Sequence, residues 1–305
     1  MKRSLIALAA LAVVSAASAQ SSVTLYGVAD VSVAYTSNNG TNTTAASASG
    51  LLNNGNSRLG VKGVEDIGGG LKASFNFEQG INLASGATDA NTWQRAAFFA
   101  LSGNFGELYA GRRLSPHFFA IATFELTGTA NYSAVANKFG FGGATRNDAF
   151  IGYSTPNLSG FAATVGTKLA DNNAGKGKTE LNVTYNNGPL AVGVGYDKTD
   201  GSEQSVSVGG SYNFGPAKVA VGFFDPAGAK KGYSLGVSAP VGPFTLTLDL
   251  ASDTGSAKNS TDVVFEAKYA LSKRTFAYGV VYNAGATVAG KDDVTTTGVG
   301  IRHNF

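Results

Sequence analysis

The feature that most constrains this chain is a period-two alternation of apolar and polar residues, repeated in short runs from about residue 22 onward. Successive side chains on a strand point to opposite faces, so such a run reads as a strand with two different surfaces. In 23–35, Val23, Leu25, Gly27, Ala29, Val31, Val33 and Tyr35 share one face, and Thr24, Tyr26, Asp30 and Ser32 the other. The remaining runs are 57–65, 71–81, 93–102, 105–112, 146–155, 160–169, 178–187, 190–199, 203–213, 217–225, 232–240, 243–253, 260–270, 275–284 and 294–305. With the first, they predict sixteen strands.

The connections fall into two kinds. Ile67-Gly68-Gly69-Gly70, Asn104-Phe105-Gly106, Pro156-Asn157-Leu158-Ser159, Asn187-Gly188-Pro189, Gly215-Pro216 and Val241-Gly242-Pro243 are tight turns. The segments 37–56, 82–92, 171–177, 226–231, 254–259 and 285–293 are longer and polar. Short turns at one end and longer loops at the other describe an antiparallel transmembrane β-barrel. Leu181, Val183 and Tyr185 oppose Glu180, Asn182 and Thr184, and Phe244, Leu246, Leu248 and Leu250 oppose Thr245, Thr247 and Asp249. A soluble sandwich would turn the apolar face inward, whereas a channel-forming barrel turns it to hydrocarbon and the polar face to a wet lumen.

Residues 1–19 favour the membrane reading, because they have the form of a cleaved signal peptide. Lys2 and Arg3 precede the apolar core 5–14, and Ala17-Ser18-Ala19 gives the small-x-small cleavage pattern. The mature chain would be 20–305, a single domain. No later stretch is long and apolar enough for a transmembrane helix, and there is no cysteine to form a disulfide. Of the formal net charge of +3, Lys2 and Arg3 belong to the leader, and nothing in the balance suggests nucleic acid. The chain has 41 Gly, 12 Tyr and 19 Phe, with 14% charged residues. That composition suits a barrel with glycine turns and aromatic girdles.

One segment breaks the pattern. Residues 113–145 run without clear alternation, through His117, Phe118, Glu125, Asn131 and Lys138. A long irregular connection inside a regular domain is usually functional or disordered. It is expected to fold into the barrel mouth and narrow the hole, held there by its apolar run 118–124.

Several stretches resemble the Gram-negative general porins, in particular the β-proteobacterial branch. They are Ser21-Ser22-Val23-Thr24-Leu25-Tyr26-Gly27-Val28-Ala29-Asp30, the hairpin from Ser57-Arg58-Leu59-Gly60 through Gly70-Leu71-Lys72-Ala73, Leu101-Ser102-Gly103-Asn104-Phe105-Gly106, Ala270-Leu271-Ser272-Lys273-Arg274-Thr275, and Val299-Gly300-Ile301-Arg302-His303-Asn304-Phe305. The resemblance implies a sixteen-stranded barrel with an inward third extracellular loop, here 113–145. It also implies a homotrimer surrounded by outer-membrane lipid and lipopolysaccharide, and passive diffusion of small hydrophilic solutes and ions. Phe305, preceded at alternate positions by His303 and Ile301, is the type of ending read by the barrel-insertion machinery. The mature chain is short for that family, which implies short loops after residue 170, and 113–145 departs from the family's usual wording.

A diffusion channel needs no nucleophile and no cofactor, only fixed charges at its narrowest point. Strand phase puts Arg58, Gly60 and Lys62 on the lumen side. Arg95 begins the fourth strand and Arg146 the sixth, close neighbours on one wall. Arginines at positions 58, 95 and 146 match the eyelet cluster of anion-preferring relatives. Of Arg112 and Arg113 only one can point inward. Facing them, Glu125 is expected either to present a charge from the loop or to anchor it, and Glu78, in phase with Lys72, Ser74 and Asn76, is a second inward carboxylate. Such a wall predicts anion preference.

Two other readings stand beside this one. An outer-membrane hydrolase would need a Ser–His pair, but the only histidines are His117 and His303. The same two histidines and the lack of cysteine argue against a zinc site. Gly193-Val194-Gly195 resembles part of a nucleotide-binding loop but lies in a strand pattern without a following helix. A channel specific for sugars would carry a ladder of lumen aromatics, whereas Tyr185, Phe244 and Phe265 fall on the lipid phase. Specificity for an organic anion stays open.

Overall fold

The computed structural model describes residues 21–38, 40–142, 144–288 and 290–305; the expected leader, 1–19, lies outside them. The strands are β1 (Ser22–Asn38), β2 (Thr41–Ser47), β3 (Arg58–Gly68), β4 (Leu71–Gly80), β5 (Ala96–Gly103), β6 (Gly106–Leu114), β7 (Arg146–Ser154), β8 (Phe161–Lys168), β9 (Lys178–Asn187), β10 (Leu190–Thr199), β11 (Gln204–Asn213), β12 (Lys218–Asp225), β13 (Gly232–Val241), β14 (Phe244–Asp253), β15 (Ser260–Ala270), β16 (Thr275–Ala284) and β17 (Val294–Asn304).

From β3 to β17 each strand pairs antiparallel with the next. β1 closes the ring: one edge pairs with β17, from Val28↔Asn304 to Ser37↔Thr295. Its other edge pairs with β3 through Ser22–Val28 and with β2 through Ser32–Asn38. β2 and β3 therefore share one place in the wall, and the barrel is sixteen-stranded. At the seam Phe305 N donates to Gly27 O at 3.1 Å and Gly27 N to Phe305 O at 3.0 Å. Closure matters because a backbone group left unpaired in hydrocarbon costs several kcal/mol.

The two faces follow the alternation. Val31, Val33, Phe99, Ile151, Leu181, Val183, Val221, Leu235, Leu248 and Phe265 are exposed on the outside. Asp30, Ser32, Glu180, Asn182, Asp249 and Glu266 on the same strands are buried inside. At the turn end the outer face carries ring pairs Phe161–Tyr185, Tyr212–Phe214 and Phe244–Tyr269, with centroids 4.4, 4.7 and 5.2 Å apart. Amphipathic rings belong at such a membrane boundary. The β3–β4 turn is tight because Gly68, Gly69 and Gly70 all adopt left-handed φ of 88°, 63° and 79°, which a Cβ would oppose.

Two expectations need correction. The polar segment 37–56 is not wholly loop, since it contains β2. Every β2 residue from Thr41 to Ala46 is exposed, so neither face required apolar residues and no alternation marked it. The irregular 113–145 holds two short helices, α1 (Pro116–Ala122) and α2 (Ala134–Phe139). Ser115 caps α1 by accepting from Phe118 N, with Pro116 at the first helical position; Ser133 caps α2 by accepting from Ala136 N. These are standard start signals, here on helices too short to show a periodic stripe.

Candidate functional site

The segment 113–145 lies inside the barrel, and glycines explain where. A Cβ at Gly193 would run into the Ala120 carbonyl, one at Gly195 into the His117 ring, and one at Gly209 into Phe124. Gly193 pairs with Gly209, and Gly209 with Gly222, so three strands present a flat strip to the lumen. Glycine in a strand often marks such a close approach. Gly193-Val194-Gly195 is thus the seat of α1.

Polar contacts fix the rest. His117 Nδ1 lies 2.9 Å from Asp197 Oδ2, and its Nε2 2.7 Å from Ser207 Oγ. The carboxylate can only accept, so in the neutral ring Nδ1 donates to it and Nε2 accepts from the serine. Asn182 Nδ2 donates to Pro116 O at 2.8 Å. Beyond α1, Lys268 Nζ donates to Thr127 O at 2.9 Å, and Tyr132 donates to Glu266. Burial, reinforced by that carboxylate, pushes the Tyr132 phenol well above its usual pKa. Lys138 Nζ meets Asp262 Oδ1 at 2.7 Å and Ser260 Oγ at 2.9 Å. Ile121, Phe124, Ala130, Tyr132, Val135 and Phe139 pack with Phe224, Val264 and Tyr278 of the wall. The apolar run holds the loop as expected, except that Phe118 faces the opening and Phe119 is exposed.

The loop therefore occupies the β8–β15 side and leaves an opening against the opposite wall. Arg58, Glu78, Arg95, Arg146 and Arg302 line that opening from the wall; Phe118, Phe141 and 128–131 line it from the loop. Register puts the wall residues at one height. Arg58 pairs with Val28 and Gly80, Gly60 with Glu78, Asp30 with Arg302, and Arg95 N donates to Glu78 O at 3.2 Å. Arg95 Nε lies 2.8 Å from Glu78 Oε1 and Arg58 Nε 3.4 Å from Glu78 Oε2. The Tyr26 hydroxyl is 3.0 Å from the same oxygen, and Arg146 Nε donates to Arg95 O at 2.8 Å. Among the described residues lining the opening Glu78 is the only carboxylate, beside four guanidinium groups, and it pairs with those of Arg58 and Arg95.

The structure brings Arg58, Arg95, Arg146 and Glu78 together and leaves Lys62 and Glu125 apart. Lys62 sits nearer the turn end, 5.3 Å from the Tyr26 ring centre. Glu125 does not face the arginines. Its carboxylate accepts from Thr127 N at 3.1 Å, Thr127 Oγ1 at 2.5 Å and Thr129 N at 2.7 Å, so it anchors the loop's own backbone. Satisfying a buried charge locally avoids the cost of burying it unpaired. A bulge between Gly111 and Arg113 separates the two adjacent arginines. Arg113 lies inside over Phe98 and Tyr109, paired with Glu107 at 2.8 Å, while Arg112 pairs with Asp148.

Sequence reasoning missed Arg302 and the inward course of 48–57, where Ala48, Leu52, Asn53 and Ser57 are fully buried. The phase of Arg302 between Ile301 and His303 was readable; its nearness to Arg58 appears only on closure. Lumen aromatics are also more numerous than expected: Tyr109, Phe150, Phe224, Tyr278 and Tyr282 point inward, but all are buried in packing and offer no stacking face. His117, Asp197 and Ser207 have the order of a hydrolytic triad, yet all three are buried between α1 and the wall, where a nucleophile has no access to substrate.

The Gram-negative porin family matches residues 7–289. Outer membrane porin protein 32 of Delftia acidovorans is 38% identical over 227 residues, 69% of this chain and 62% of that protein. Major outer membrane protein P.IB of Neisseria meningitidis is 34% identical over 206 residues, 64% of this chain and 58% of that one. The matches thus span about three fifths of the length of these relatives. Among solved structures, the anion-selective porin from Comamonas acidovorans superposes with a TM-score of 0.78 at 30% identity, covering 94% of this chain and 100% of that chain. OmpT of Vibrio cholerae, at 16% identity and a TM-score of 0.71, shares the fold. A closed barrel with an apolar outer face, a loop-narrowed lumen and a family match over most of its length make this chain a member of the Gram-negative porin family, a protein of the outer membrane.

Proposed function

We propose that this protein is a diffusion channel for small hydrophilic solutes and ions that prefers anions, and that its selectivity is set by Arg58, Arg95 and Arg146 across from the inward loop. The observation that carries this reading is the imbalance at the opening, where Glu78 is the one lining carboxylate beside four guanidinium groups. A unit charge about 6 Å from an ion's path through salt water favours an anion and disfavours a cation by roughly 0.3 kcal/mol each, about a threefold bias between them, and several on one wall add. The solved relative described as anion-selective supports the same sign. Lys62 extends the positive field toward the turn end. The barrel assembles as a homotrimer within lipid and lipopolysaccharide, inserted through recognition of Phe305. A flat apolar groove outside, lined by Val31, Val33, Ala277, Gly279, Val299 and Ile301, suits close contact with an apolar neighbour.

Planar-bilayer recording in KCl tests the reading. Stepwise conductance increases in groups of three are expected, and deletion of 116–144 should give a wider, less selective pore. Absence of steps, or unchanged conductance and selectivity after the deletion, would contradict it.

A further inference from the structure

The inward segment 48–57 follows from a break in the wall. β3 leaves β1 at Val28, and β2 picks it up again at Ser32, so the intervening chain turns into the lumen. Asp30, fully buried, gathers it: Oδ1 accepts from Asn53 Nδ2 at 2.9 Å and from the Tyr278 hydroxyl at 2.6 Å, and Oδ2 from Gly55 N at 3.2 Å. Ser57 completes the clasp, donating from Oγ to Asp30 O and accepting from Asp30 N, both at 2.9 Å.

Held in this way, the segment touches both sides of the opening. Toward the loop, Asn131 Nδ2 donates to Asn56 Oδ1 at 2.7 Å and to Gly50 O at 3.0 Å, and Asn54 Nδ2 donates to the Tyr132 hydroxyl at 2.7 Å. Toward the wall, Arg302 Nη1 donates to Asn54 Oδ1 at 3.1 Å. A Cβ at Gly55 would stand 2.6 Å from the same Nη1, so glycine is what admits the guanidinium. The nearest carboxylate oxygen, Asp30 Oδ2, is 4.0 Å away and already accepts from Gly55.

We infer that 48–57 is a second constriction element, joined to the tip of the inward loop, and that it presents Arg302 as a fourth selectivity-determining arginine. Its guanidinium hydrogen-bonds to the neutral amide oxygens of Asn54 and Asn304, and the Asp30 carboxylate offsets it more loosely from 4.0 Å. Arg95 and Arg58, by contrast, share Glu78. Asp30 is a positioning residue, acting through the segment it clasps.

The inference rests on the proposed anion preference, and the experiment keeps the two apart. Reversal potentials in a KCl gradient are measured for the native channel, Arg302→Gln and Arg302→Lys. The native channel should prefer anions, Arg302→Gln should lower the anion-to-cation permeability ratio about two- to threefold, and Arg302→Lys should keep it. A native channel without anion preference removes the underlying reading. An anion-preferring native channel unchanged in Arg302→Gln, or a loss that Arg302→Lys does not restore, overturns the role of Arg302 alone. Should Arg302→Gln fail to insert, Arg302→Cys in this cysteine-free chain takes its place: a cationic thiol reagent should raise the ratio and an anionic one lower it, and no response to either overturns it. For the junction, Asn56→Cys with Asn131→Cys should cross-link on oxidation with conductance kept. Failure to cross-link in a folded, conducting channel would overturn the second constriction.

Discussion

Arg95 donates from Nε to Oε1 of Glu78 across 2.8 Å, and both side chains are largely buried at the wall of the opening. Glu78 thereby ties down part of the positive field. Glu78→Gln removes the negative charge and keeps an acceptor for Arg95. The anion-to-cation permeability ratio should rise about two- to threefold, read as a shift in reversal potential. A fall in the ratio would mean that Glu78 chiefly orients the arginines.

Lys138 and Asp262 form a buried pair at 2.7 Å that pins α2 to β15. Lys138→Met should destabilise the barrel by about 3 kcal/mol, the low end for breaking a buried pair, because Asp262 still accepts from Tyr282 at 2.7 Å and Gly285 at 3.0 Å. Adding Asp262→Asn should recover most of the loss. The urea unfolding midpoint checks both, and a double variant no more stable than the single one would contradict this.

His117 holds α1 to two strands at once, through Asp197 and Ser207. His117→Ala should lower the free energy of local opening by about 2 kcal/mol, at roughly 1 kcal/mol per hydrogen bond. Cleavage by chymotrypsin at Phe118 or Phe119 should then speed up about thirtyfold while the barrel stays intact. An unchanged cleavage rate would show that the glycine seat holds α1 without the histidine.

Strands were legible wherever water or packing lay inside and hydrocarbon outside, because that contrast writes itself into the sequence at period two. β14 is the clearest case, with Leu248 exposed outside and Asp249 buried inside. β2 is exposed on both faces from Thr41 to Ala46 and left no such mark. The inward loop was recognised by its failure to alternate, and Arg58, Arg95 and Arg146 by phase and neighbourhood. Arg302 escaped because sequence distance conceals that the last strand closes beside the first. Glu125 could be placed only by seeing Thr127 and Thr129 fold back on it. The glycines at 193, 195 and 209 carried their message in plain sight, but what approaches them comes from α1 and from Phe124 just after it, far away along the chain.

The most direct test of the arginine wall is the reversal potential in a KCl gradient, measured on the native channel and on Arg58→Ser with Arg95→Ser. The native channel should reverse on the anion-preferring side, and the double variant should lose much of that preference. Cation preference in the native channel, or full anion preference kept by the double variant, would contradict it.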